Sequence, residues 1–322
     1  MVSRILPPHA LPGVHNEPLP QNRIFGRHQH LVYDIPSSRP EQGYDVNGIG
    51  HLSSNTKIAA LALIARVRGV EYLQQNMGRL TRMMSQSHND ATIVEVSRAL
   101  NYSGANVFAA NFRPMTMQGG VLNRGNDNHL SNTMNGNVQR FYETYRAELA
   151  KYQTELGIAG SRFRDTSGIA DRASRIGTSQ ASPLHVAHLV DYLYKLDNGK
   201  TLSQLATPAN PQHTTHRYLA ERAIRDPQRP RNGEIFFAKT GTLDVSQFHK
   251  LPAGSGVPQQ FPTGVFVLTL GYIQDGKPKM AFIRANSSEE RKQLANRFLD
   301  DVAGTTPQLI AQRRTQPFPP TA

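Results

Sequence analysis

The chain has 322 residues, with 36 lysines and arginines against 24 acidic residues for a net charge of +12, and it contains no cysteine. That length supports one large domain with a sizeable core, and the lack of cysteine excludes a disulfide framework, thiol catalysis and thiolate metal sites. The positive field would attract nucleic acid, anionic lipid or an acidic wall polymer. The basic residues are scattered, however, with no zinc-finger spacing, RNP motif or basic-region heptad, which argues against a nucleic-acid partner.

In chain order, Met1 to Asn22 is rich in Pro, His and Asn and reads as an irregular arm without an apolar h-region, so neither a signal peptide nor a membrane span is expected. His30 to Ile35 suits a first strand, and a helix is predicted from about Asn55 to Gly69. A second helix should cover about Asp90 to Leu100, with Gly104 placed beyond its end. The Asn/Gly-rich stretch Met115 to Asn137 reads as a long loop.

Helical periodicity returns over Val138 to Leu156 and stops at Gly157, and the aromatics between Phe141 and Tyr152 read as a core face. Ser182 and Pro183 open another helix, running to Leu196, as N-cap and first helical residue. Thr201 to Asn232, with four prolines, reads as connector. Glu234–Thr242, Gly264–Ile273 and Lys279–Ala285 read as strands, the last two joined at Asp275-Gly276. Ser287 and Glu290 form a capping box for a closing helix, Ser288–Val302. The expected class is α+β, an antiparallel sheet with N- and C-terminal helices packed on it. Residues 1–29 form an arm and 305–322 a tail around one domain, 30–304, whose helical part spans about 55–200 and whose sheet part spans 30–50 and 234–304.

Three short motifs carry chemistry. Ser54-x-x-Lys57 puts a serine at a helix start and a lysine one turn later, within reach of the hydroxyl. Burial disfavours an ammonium, which lets such a lysine accept the serine proton. On its own the motif reads more readily as an N-cap beside a surface lysine. Ser87-His88-Asn89 fits S-x-N, and Lys239-Thr240-Gly241, inside the strand pattern IFFAKTGT, fits K-T-G. The three in this order, on helix, loop and strand, are far more specific than any one of them.

Together they resemble the motifs of the penicillin-binding proteins and serine β-lactamases, and the flanks resemble the D-alanyl-D-alanine carboxypeptidase branch. The flanking segments are SHNDATIVEVSRAL, FYETYRAELAKYQTELGIAGSRFRDTSGI and TSQASPLHVAHLVDYL, and the likeness spans about His51 to Val302. It implies Ser54 as acylated nucleophile, Lys57 as its base, Ser87 as proton relay, Asn89 as holder of Lys57 and of the substrate amide, and Lys239 as electrostatic support. Thr240 and Thr242 would take a terminal carboxylate, Gly241 would let a ligand approach the strand closely, and the backbone N–H groups of Ser54 and Thr242 would form an oxyanion hole. Asp165 and Ser167 match a family stretch of structural character.

The implied reaction is release of terminal D-alanine from peptidoglycan stem peptides without cofactor or metal, outside the cytoplasm, with β-lactams as covalent inhibitors. The alternatives on the same machinery are a D,D-endopeptidase, a β-lactamase-like esterase or a secreted wall-targeting toxin; the alternative without catalysis is a wall-binding protein. Two departures stand out. The 33 positions from Ser54 to Ser87 are fewer than the family's, implying a reduced helical subdomain, and no E-x-x-L-N pattern follows the second motif. The histidine pairs His185/His188 and His213/His216 lack metalloprotease spacing and read as surface or satisfied groups.

Overall fold

The structure, a computed structural model, describes residues 17–114, 116–118, 121–123, 128–166, 179–206, 217–243 and 264–304. Strands β1 (His30–Asp34), β2 (Arg39–Tyr44), β7 (Ile235–Leu243), β8 (Val265–Gln274) and β9 (Lys277–Ala285) form an antiparallel sheet ordered β2-β1-β9-β8-β7. The chain's first strand therefore joins its last, and β7 lies at the sheet edge. Two small ribbons complete the strands: β3 (Gly50–His51) with β6 (Gln180–Ala181), and β4 (Thr116–Gln118) with β5 (Val121–Asn123).

Alternation along the strands serves two cores. Leu31, Tyr33, Phe237, Met280 and Phe282 face the helical layer, whereas Val32, Ala238, Ala281 and Ile283 face α10 (Ser288–Val302) on the other side. The β8–β9 turn uses Asp275 and Gly276 at φ of 53° and 71°, the left-handed pair a tight hairpin needs. Ser287 Oγ accepts from Glu290 N, while Glu290 Oε2 reaches back to Asn286 N rather than to the N-cap amide.

The central helix is α1 (Lys57–Arg68), preceded by a 3-10 turn at Ser53–Thr56. Residues Lys57 through Ala65 are all buried, so α1 runs inside the molecule rather than on its surface. The chain then folds back through α2 (Val70–Gln75) and α3 (Met77–Met84) to the second motif at the start of α4 (Asn89–Ala99). This path explains the short interval: α1 carries the chain about 18 Å outward and α2 with α3 carry it back over a similar distance at 1.5 Å per residue. The later helices are α5 (Ala105–Asn111), α6 (His129–Thr133), α7 (Asn135–Lys151), α8 (Pro183–Lys195) and α9 (Lys200–Ala206). Ser182 caps α8 by accepting from His185 N, and the His185 ring closes the capping box by accepting from Ser182 N.

Several expectations are corrected. Residues 115–137 are not one loop, because β4, β5, α6 and the start of α7 lie there. The 201–232 connector begins inside α9 and holds a 3-10 turn at Arg217–Arg222. Gly104 does not end α4; the chain leaves that helix through Asn101, itself left-handed at φ 52°. Strand β2 lies within the sheet part expected at 30–50, but no strand is predicted at its residues. Ser167, His213 and His216 lie outside the described residues.

Candidate active site

The 3-10 turn at Ser53–Thr56 presents the half-buried Ser54 at the foot of α1. Ser53 is held at φ 48°, a conformation a serine adopts only under constraint. The constraint is visible: Ser53 Oγ donates to Thr242 O at 2.9 Å, Thr56 Oγ1 donates to Asp165 O at 3.2 Å, and Leu52 N donates to Ser179 O. Asp165 is in turn fixed by Ser179, whose hydroxyl donates to its carboxylate at 2.7 Å.

One turn into α1, the fully buried Lys57 places Nζ 3.3 Å from Ser54 Oγ and 2.7 Å from Asn89 Oδ1. An amide oxygen accepts and never donates, so one Lys57 N–H is committed to Asn89. The Asn89 amide has its own orientation fixed, because Nδ2 donates to Asn128 Oδ1 at 2.9 Å. Asn128 precedes α6, inside the stretch expected to be loop, and it was missed: an asparagine among asparagines gives no signal.

Ser87 also sits in the left-handed region, at φ 55°. Its turn is pinned by Ser85 Oγ donating to Leu205 O at 2.6 Å and by His88 N donating to Arg82 O at 3.0 Å. From β7, the fully buried Lys239 donates to Ser87 Oγ at 2.8 Å and to Thr240 O at 3.1 Å. Ser87 Oγ accepts there, which leaves its own proton free to be given elsewhere. The second motif thus meets both of the others: Asn89 contacts Lys57 beside Ser54, and Ser87, two residues earlier, contacts Lys239.

Gly241 has a packing role as well. A Cβ at this position would lie 2.2 Å from Leu52 O and 3.2 Å from Asn55 N. The close neighbour is therefore the protein's own serine-bearing turn, and the glycine lets the first and third motifs pack against each other. Thr242 is exposed while Thr240 is 3% exposed, so Thr242 is the threonine open to a ligand. In an extended strand a residue's N–H and C=O point the same way. Thr242 O meets Ser53, so the Thr242 N–H also faces the serine turn.

Arg291 of α10 was not anticipated. It is 4% exposed, and its Nη1 donates to Gly241 O at 3.0 Å, Thr242 Oγ1 at 2.9 Å and Val267 O at 3.2 Å. Burial pulls its pKa below the usual arginine range. Because a guanidinium only donates, Thr242 Oγ1 accepts, which leaves the Thr242 hydroxyl proton for another acceptor. The signal was present: Arg291 falls on the stripe Leu294, Ala295, Phe298, Leu299 that buries α10.

Among the described residues no group of His, Asp and Glu is arranged to hold a metal ion. His188 instead lies 2.8 Å from Gly157 O through Nδ1. No helix among them is long and apolar enough to cross a membrane.

No protein-family model and no curated protein matches the chain. Solved structures do. The Streptomyces K15 DD-transpeptidase is 11% identical with a TM-score of 0.51, the match covering 89% of this chain and 100% of that one. PBP3 of Streptococcus pneumoniae, a peptidoglycan synthesis regulatory factor, is 14% identical with a TM-score of 0.51 over 87% of this chain and 72% of that one. The likeness is one of backbone rather than sequence. The chain has the fold of the penicillin-binding D,D-peptidases.

Proposed function

We propose that the protein is a serine D,D-carboxypeptidase that acts on peptidoglycan stem peptides outside the cytoplasm and is acylated by β-lactams. The observation that carries this reading is Lys57 Nζ held between Ser54 Oγ and Asn89 Oδ1 in a fully buried setting. Burial disfavours the ammonium, and a neutral amine that gives one N–H to Asn89 keeps a lone pair for the serine proton.

Ser54 Oγ attacks the penultimate D-alanyl carbonyl carbon as its proton passes to Lys57. The oxygen that gains charge is met by the N–H groups of Ser54 and Thr242. The C–N bond breaks, Ser87 gives its proton to the departing amine and recovers one from the Lys57 ammonium, and D-alanine leaves, with Lys57 again neutral to take a proton from water. Water then attacks the ester, releasing the shortened peptide and restoring the Ser54 hydroxyl. Lys239, beside Ser87, favours an anionic substrate and keeps the Ser87 proton directed away from itself. Thr242, oriented by Arg291, takes the terminal carboxylate, which only the last residue of a stem peptide carries.

Incubation with a peptide ending in D-Ala-D-Ala tests this: free D-alanine should appear with wild-type protein and not with Ser54→Ala. Cleavage of cross-linked muropeptides with no D-alanine release would contradict the carboxypeptidase assignment.

A further inference from the structure

Outside the site described, α3, α4 and α5 line a partly open cavity of about 140 Å³. Arg79 and Arg82 of α3 line it with Glu95 and Arg98 of α4, and Val94 and Phe112 give it an apolar wall. Helical spacing explains the cluster: Val94, Glu95 and Arg98 share a face of α4, and Arg79 and Arg82 share a face of α3.

Glu95 is 3% exposed. Its Oε1 accepts from Arg98 Nη1 at 2.6 Å, and Oε2 lies 3.3 Å from Arg79 Nε. Three guanidiniums therefore face a single carboxylate. Each guanidinium offers five N–H donors in a rigid fork suited to phosphate or carboxylate oxygens, so two ion pairs with Glu95 do not saturate them. The volume is close to the ~150 Å³ of a cavity that takes one benzene, so the pocket itself accommodates a compact group.

The cavity also touches the second motif. His88 N donates to Arg82 O at 3.0 Å, and the His88 ring packs on Phe112 with centroids 5.2 Å apart. Arg82 and Phe112 each line the cavity and contact the central residue of Ser87-His88-Asn89.

We propose that this cavity binds a compact phosphate dianion, inorganic phosphate or a small phosphate monoester, and that occupancy is transmitted to His88. A phosphate monoester carries a charge of about −1.5 to −2 at neutral pH and so compensates the excess guanidiniums more fully than a monocarboxylate does. Binding here is independent of the D,D-peptidase reading, and so is its readout.

The test titrates the full chain with glycerol 3-phosphate, inorganic phosphate or acetate at constant ionic strength, by calorimetry and by NMR of the imidazoles. The His88 resonance is identified by its loss in His88→Gln. The expected result is saturable phosphate binding, at least about tenfold tighter than acetate, with the His88 resonance shifting in parallel. Arg82 is exposed, so Arg82→Gln should keep the unfolding transition and weaken phosphate binding about tenfold. The tighter of the two phosphate ligands identifies the guest. No saturable phosphate binding, equal binding of acetate, or unchanged binding in Arg82→Gln would overturn the site, and binding with an unmoved His88 resonance would overturn the transmission.

Discussion

Lys57 Nζ lies 2.7 Å from Asn89 Oδ1, joining the first motif to the second across 32 positions of sequence. The neutrality of the Asn89 amide matters as much as the distance. A carboxylate at the same place would favour the ammonium form of Lys57 and withdraw the base. Asn89→Asp, equal in size, should therefore slow β-lactam acylation about 100-fold or more near neutral pH, with the rate recovering as pH rises. Stopped-flow acylation across pH checks this, and a wild-type rate with an unshifted profile would remove Lys57 as the base.

Gly241→Ala tests how the first and third motifs pack. Backbone atoms of the serine turn cannot yield to a Cβ as a flexible side chain can. We expect a loss of about 1–3 kcal/mol in unfolding free energy, together with slower acylation. Gly78→Ala in α3 is the control: nothing lies within 4 Å of a Cβ there, and it should stabilise by up to about 1 kcal/mol. Chemical denaturation of both variants decides it, and equal effects would refute the packing argument.

Arg291→Lys removes the planar fork while keeping the charge. All three acceptors, Gly241 O, Thr242 Oγ1 and Val267 O, are served by Nη1, and the lysine chain is one atom shorter, so its ammonium falls short of that position. KM for a peptide with a free terminal carboxylate should rise about tenfold, the equivalent of about 1.4 kcal/mol, with a smaller effect on kcat. A peptide with an amidated end should show no such rise. Equal losses on both peptides would make Arg291 a purely structural residue.

Burial holds the His188 imidazole down to about 4, and His51 likewise, with Arg284 and Arg164 adding to the effect at His51. His30 and His185 are lowered in the same direction by burial. The unfolded chain, with histidines near 6.5, binds more protons than the folded chain between pH 6.5 and 4. Stability is therefore full above pH 6.5 and falls as pH drops toward 4, by up to about 3 kcal/mol for His188. Urea unfolding at constant ionic strength should show this slope, reduced in His188→Gln. A flat profile would contradict it.

The sheet was legible where strands alternate between two cores, as in β7, β8 and β9, and the helices where caps mark them, as at Ser182 and Ser287. Strand β2 was not, because RPEQGY has a proline, little apolar character and an edge position where alternation is unnecessary. Helix α3 carried a legible pattern in Met77, Leu80, Met83 and Met84 that was passed over. At the site, the residues that define motifs were visible as motifs. Asn128 was not, and Arg291 was legible only as a residue on the buried face of α10, since each acts on a motif residue through a contact between elements distant in sequence.

The central claim is that Ser54 becomes covalently acylated with Lys57 as its base. Intact-mass measurement after incubation with benzylpenicillin tests it most directly. The account predicts one penicilloyl adduct on the wild-type protein, mapped to the peptide holding Ser54, absent in Ser54→Ala and strongly slowed in Lys57→Met. An unmodified wild-type protein, or an adduct that persists in Ser54→Ala, would contradict it.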